Sequence, residues 1–264
     1  MEFWSEDLLK QFYTEIYHNL VETEENIVEI WYDTSEFPLL SQFNIPKLKD
    51  FLGNINSISL QKGNYQYYIV INKIIFIMEA INILQLDIRQ ITRILDYNGF
   101  EALIQEILSK NNYISIKNFR FSDRSNFKSE TSQKKYEIDI IGIYNKHILL
   151  VDAKQWKRKD SFSALNKAAN LQLRRVIALK KNPEVFTMLI QEVLGIKLNL
   201  KKRLPFILIP IIVTLEDNSI KINNNQVPLV SIYEFNSFLY ELQNNLQYFR
   251  TIKINKVNIQ QRLL

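Results

Sequence analysis

The chain has 264 residues, 47% of them hydrophobic, which suffices for one large domain or two modest ones and excludes a disordered tail. Its formal net charge of +5 hides an asymmetry: residues 1–36 hold ten Asp/Glu against one Lys, whereas the rest holds 32 basic and 18 acidic residues and so favours a polyanionic partner such as nucleic acid. Zero cysteines exclude disulfides, thiolate zinc sites and cysteine nucleophiles, and two histidines, His18 and His147, disfavour imidazole-rich metal sites, so any metal rests mainly on carboxylates, which select hard cations such as Mg²⁺ or Mn²⁺.

The opening MEFWSEDLLK is acidic and lacks the basic segment of a secretory signal, and with the absence of cysteine this gives a cytoplasmic location as the expectation. Residues 2–32 are expected to be helical, with Leu8, Phe12, Ile16 and Leu20 at four-residue spacing, and chain breaks follow at Phe37-Pro38 and Ile45-Pro46. The acidic first helix reads as a solvated face or as a docking surface for a protein partner. Further helices over about 65–84 and 86–97 complete a mainly helical N-terminal domain, residues 1–97. The most apolar runs, 204–213 and 69–84, are respectively too short and interrupted by Lys73 and Glu79, so no membrane span is expected. The five glycines form neither GxGxxG nor a phosphate-binding loop, which disfavours an ATPase or a dinucleotide-dependent dehydrogenase.

At Asn98-Gly99 the pattern changes. A helix is expected from Phe100, where Phe100, Leu103, Ile104, Ile107 and Leu108 form an amphipathic stripe, followed by a polar loop running through Phe119 and Phe121. Strands at 136–142 and 147–156, a helix at 161–181, an apolar strand at 204–214, a short strand at 227–232 and a last helix then describe an α/β domain, residues 98–264: a mixed sheet flanked by helices. The run NNNQ at 223–226 reads as a surface turn.

The chemistry concentrates in YEIDIIGIYNKHILLVDAKQW. Two alternating strands meet across Asn145-Lys146, and a two-residue loop there sets Asp139 opposite Asp152 and Glu137 opposite Lys154. Carboxylates facing each other at about 5 Å repel, and in a core-forming hairpin an unpaired charge is costly, so the pattern points to a bound cation. An ordinary Asp152–Lys154 strand pair with Asp139 solvated is the plainer alternative.

An acidic residue on one strand followed by acidic-x-Lys on the next, here Asp139 and Asp152-Ala153-Lys154, resembles the PD-(D/E)xK nuclease superfamily, the restriction-endonuclease-like fold of archaeal Holliday-junction resolvases and Mrr-like enzymes. Trp156, just after the triplet, is similar to its resolvase-like and Mrr-like members; Ile138 stands where a proline often precedes the first Asp, and Asp152 replaces the commoner Glu. The resemblance covers roughly residues 98–182, with VPLVSIYEFNSFL similar to the final strand and helix. It implies one or two Mg²⁺ or Mn²⁺ ions held by Asp139, Asp152, the Ala153 carbonyl and Glu101, with Lys154 as the catalytic cation. Glu101 otherwise reads as an acidic residue in a first helical turn. Gln172, on the buried face of the 161–181 helix, matches an accessory glutamine of resolvase-like and RecB-like nucleases, or is a satisfied core residue. Lys157, Arg158 and Lys159 follow the catalytic strand and would hold phosphates.

The expected activity is endonucleolytic hydrolysis of DNA, with RNA not excluded and a homodimer as the arrangement by which such enzymes often cut two strands. The rival is a non-catalytic nucleic-acid-binding or assembly protein that keeps the nuclease fold. A Ser-His hydrolase built on His18 or His147 lacks a nucleophile elbow.

Overall fold

Asn145 takes φ 54°, the left-handed conformation that asparagine tolerates better than most residues, and with Lys146 it closes the hairpin around which the C-terminal part of the chain is built. The computed structural model describes residues 4–23, 28–123, 135–156, 162–195 and 203–257. The chain divides into two compact units, Met1–Leu103 and Ile104–Leu264, whereas the sequence places the boundary at residue 97.

In the N-terminal unit, helix α1 (Glu6–Glu22) starts at Ser5, whose side chain accepts from Leu8 N–H, and buries Phe12, Tyr13, Ile16 and Leu20. Strand β1 (Glu29–Asp33), helix α2 (Ile45–Leu52), strands β2 (Ile58–Lys62) and β3 (Tyr67–Asn72), and helices α3 (Lys73–Leu84) and α4 (Ile88–Ile91) follow. The strands form an antiparallel sheet in the order β1-β3-β2. The region is mainly helical, as expected, but β1 and β3 are strands within stretches expected to be helix. Only Asn72 and Lys73 separate the apolar run YYIVI from IIFIMEAINIL, and runs so uniformly apolar have neither a two-residue nor a 3.6-residue period to separate strand from helix. The punctuation is Asn72, whose side chain accepts from the Ile74 and Ile75 N–H groups and caps α3.

Helix α5 (Tyr97–Lys110) contains the division. Beyond it come β4 (Ile114–Ser122), β5 (Lys135–Tyr144), β6 (His147–Lys154), α6 (Phe162–Lys181), α7 (Pro183–Leu194), β7 (Phe206–Thr214), β8 (Leu229–Ser231), α8 (Ile232–Asn245) and β9 (Ile252–Ile254). The sheet is mixed, in the order β4-β5-β6-β7-β8 with β9 on β7. Strands β4, β5 and β6 are antiparallel neighbours, whereas β6, β7 and β8 run parallel. The expected α/β mixed sheet with flanking helices is therefore present. Among its elements, β4 stands where a polar loop is expected, and α7 and β9 have no counterpart in the sequence reading.

Helices α6 and α7 cover one face, where Val176, Leu179, Phe186 and Ile190 pack with Ile141, Ile148, Leu150 and Phe206. Phe162, the first residue of α6, is 42% exposed. The α5 side is equally close: a Cβ at Gly142 would stand 3.2 Å from Leu108 Cδ1 and 3.3 Å from Tyr113 Cδ1, so glycine lets this part of α5 lie directly on β5. Six consecutive residues of β6, Ile148–Ala153, are buried, as a strand covered on both faces requires. Among the described residues no helix is long and apolar enough to cross a membrane.

Candidate active site

The hairpin ladder pairs Tyr144 with His147 and runs to Ile140 with Val151, where it stops. The register is the one read from the sequence, with Asp139 and Asp152 the next residues in line. From there β5 continues beside β4, pairing Ile138 with Phe119 and Glu137 with Arg120, while β6 continues beside β7 to Lys154 and Thr214. The two strands of the hairpin thus part company at the carboxylates.

The β4 ladder also skips one position. Lys117 pairs with Ile140 and Phe119 with Ile138, and Asn118 between them sits at φ 57°, opposite Asp139. Ile138, Ile141 and Ile143 all join the same core cluster, so strict two-residue alternation fails between Ile138 and Ile141. This local twist is why Glu137 does not join the patch, as alternation would have it. Its carboxylate accepts from Arg120 of β4 at 3.0 Å instead.

Asp139 fills the gap with its side chain. Its Oδ2 accepts from the Ala153 main-chain N–H at 2.8 Å, a donor whose strand neighbour has turned away. Asp152, only 2% exposed, is enclosed by two cations: Lys154 Nζ lies 3.0 Å from Oδ2 and Arg175 Nη1 lies 2.5 Å from Oδ1. Lys154 retains 22% exposure and Arg175 14%, so the cluster has an open side on which both cations surface. It lies at the carboxyl end of β6, beside the matching ends of β7 and β8 in the parallel part of the sheet, where α/β proteins commonly bind ligands.

Arg175 is the residue that sequence reasoning left without a role, as one of several cations on the 161–181 helix. Its signal is its place three residues after Gln172, one turn along the same helix. Gln172 is fully buried: its Nε2 donates to Leu150 O at 2.8 Å, and its Oε1 accepts from Arg175 Nη1 at 3.1 Å. With no exposed surface and both ends of its carboxamide bonded within the protein, Gln172 fits the satisfied core residue of its two readings rather than a nucleic-acid contact. Lys157, Arg158 and Lys159 lie outside the described residues.

Glu101 is buried on the N-terminal side of the division. Because α5 begins at Tyr97, with Asp96 Oδ1 accepting from Gly99 N–H, Glu101 falls past the first turn, and the helix-terminus reading of this residue no longer holds. The site built above consists of residues of the C-terminal unit alone. His147 pairs with Tyr144 at the turn end of the hairpin, and burial pushes its imidazole below its ordinary value.

Among the described residues no three His, Cys, Asp or Glu side chains gather at metal-binding separation. The donors expected from the sequence, the Asp139 and Asp152 carboxylates and the Ala153 carbonyl, are all hard oxygens. That set suits Mg²⁺, which is commonly held by one or two carboxylates while water and substrate phosphate complete its octahedron. It offers too few ligands for a closed structural site.

Residues 97–194 match the model of the family NERD, the nuclease-related domain, a match consistent with a PD-(D/E)xK-like nuclease. Comparison with curated proteins finds no match. Among solved structures the chain is similar to protein VC1899 from Vibrio cholerae, at 12% identity and a TM-score of 0.32, over 94% of this chain. It spans 58% of the length of that chain.

Proposed function

From the premise of a nuclease-related match over residues 97–194, we infer that the protein is a metal-dependent endonuclease hydrolysing phosphodiester bonds of DNA. The observation that carries this reading is the pair of carboxylates at the parting of β5 and β6, with Asp139 tied to Ala153 N–H and Asp152 to Lys154. Asp139, Asp152 and the Ala153 carbonyl would hold Mg²⁺ or Mn²⁺. When bound, the cation supplies Lewis-acid stabilisation of charge on the phosphate and lowers the pKa of an attacking water.

The chain's own residues do the rest. Lys154, partly exposed, presents its ammonium to the phosphate and neutralises charge that builds up as the P–O bond breaks. Asp152 keeps that ammonium in place, and Asp139, fixed by a main-chain donor, cannot swing away from the hairpin. The basic residues Lys157, Arg158 and Lys159 are the proposed holders of flanking phosphates.

The test is cleavage of supercoiled plasmid, four-way-junction DNA, single-stranded DNA and RNA with Mg²⁺ or Mn²⁺, comparing wild type with Asp139→Asn, Asp152→Asn and Lys154→Met. Cleavage of DNA that stops with EDTA and with these variants supports the reading. Equal cleavage by wild type and those variants sinks it.

A further inference from the structure

Resting on that reading, we propose that Arg175 is a built-in counter-cation, which holds Asp152 when no divalent ion is bound and must yield one carboxylate oxygen when an ion arrives. Three features of the structure lead there.

First, Asp152 is 2% exposed, and an isolated carboxylate so deeply buried is strongly disfavoured unless it is paired. Arg175 meets Oδ1 at 2.5 Å while Lys154 takes Oδ2, so the two oxygens of the proposed ligand are claimed by different cations. Second, Arg175 is aimed. Its Nη1 has two hydrogens and two acceptors, Asp152 Oδ1 and Gln172 Oε1, and Gln172 is itself anchored to Leu150 O, two residues before Asp152 on β6. Strand, glutamine, arginine and aspartate form a closed circuit between β6 and α6. Third, the circuit has a resting position. When Oδ1 is taken by a cation, the bond to Gln172 Oε1 still holds the guanidinium beside the site, and its 14% exposure lets it face a bound phosphate.

Like charges repel, so a cation entering beside Asp152 works against Arg175. The arginine therefore weakens divalent-ion binding while stabilising the ion-free fold. These opposite effects separate this role from simple structural support, which would lower both.

The experiment uses the full chain and Mn²⁺ as the probe, with uptake followed by calorimetry and thermal melting recorded with and without the ion. Arg175→Met removes the charge and keeps an unbranched side chain of similar reach; Arg175→Lys keeps the charge. Arg175→Met should melt lower than wild type without Mn²⁺, recover most of the loss with it, and take up Mn²⁺ at a concentration about tenfold lower. Arg175→Lys should stay near the wild-type Mn²⁺ midpoint. In wild type, the side-chain Nε–Hε NMR signal of Arg175, assigned with Arg175→Lys, should move in step with Mg²⁺ uptake. This measurement stands even if Arg175→Met does not fold.

An unchanged Mn²⁺ midpoint in Arg175→Met, or an Arg175 signal that stays still while Mg²⁺ binds, overturns the counter-cation role and leaves the nuclease reading intact. Wild type that neither takes up Mn²⁺ nor cleaves DNA overturns both.

Discussion

The main-chain N–H of Ala153 donates to Asp139 Oδ2 at 2.8 Å, so a carboxylate holds β6 at the point where β5 no longer does so by main-chain pairing. Asp139 thereby has two separable duties, one as hydrogen-bond acceptor and one as charge. Asp139→Asn keeps an acceptor oxygen and should melt close to wild type, yet lose DNA cleavage by about a hundredfold or more. Asp139→Ala should lose cleavage as well and also cost about 1–3 kcal/mol, because it leaves a buried donor unpaired. Parallel thermal melts and plasmid-nicking rates check both.

Lys154 is the more exposed of the residues around Asp152, and Asp152 keeps Arg175 when Lys154 is removed. Lys154→Met should therefore fold with a stability change of about 1 kcal/mol or less, while the cleavage rate falls about a hundredfold. A rate within threefold of wild type would assign the catalytic cation elsewhere.

Gln172→Leu is nearly isosteric but removes both bonds of the buried carboxamide. It leaves Leu150 O without that donor and frees one tether of Arg175. We expect a loss of about 1–3 kcal/mol in urea unfolding. DNA affinity measured with a non-cleavable duplex should hold within a few-fold, since Gln172 has no exposed surface.

Gly142 tests the packing behind the site. In Gly142→Val, branched methyl groups meet Leu108 and Tyr113 where even a Cβ stands at 3.2–3.3 Å, and overpacking of this kind costs about 1–3 kcal/mol. Because β5 carries both Gly142 and Asp139, cleavage should fall along with stability.

In the N-terminal unit, burial pushes the Glu79 carboxyl up, but hydrogen bonds from Ser57, Tyr13 and Asn56 outweigh it and hold the group below its ordinary value of 4.5. Tyr13 Oη donates at 2.6 Å, and burial together with this carboxylate raises the Tyr13 hydroxyl. A lowered folded-state carboxyl contributes stability above the ordinary value and loses it as pH falls through the lowered one. Glu79→Gln should therefore destabilise the unit at pH 7 and flatten its loss of stability below pH about 4.5, followed by circular dichroism across an acid titration.

The hairpin and its register were legible in the sequence because Asn145 marks a tight turn, and counting outward from a two-residue loop fixes which residues face each other. What alternation could not convey is the twist at Asp139, where Asn118 interrupts β4 and Glu137 is carried toward Arg120. Strand β3 was hidden because its apolar run merges with that of α3, and β4 because only Phe119 and Phe121 on it are deeply buried. Helix α7 carried an overlooked signal: Pro183 at its start and Phe186, Leu189, Ile190 and Val193 at helical spacing. Arg175 was readable as a cation but not as a partner, since its ion pair joins residues far apart in sequence and depends on how α6 lies across β6.

Asn145 and Lys146 bear no chemistry, yet they set the alignment of every residue along the hairpin up to the two carboxylates. One residue inserted into that turn would slide β5 against β6 and turn its side chains to the opposite face. The turn is thus the place where this site is least tolerant of a length change, even though it stands at the far end of the hairpin from the chemistry. Point substitutions that keep a residue able to take the left-handed conformation at position 145 leave the alignment alone.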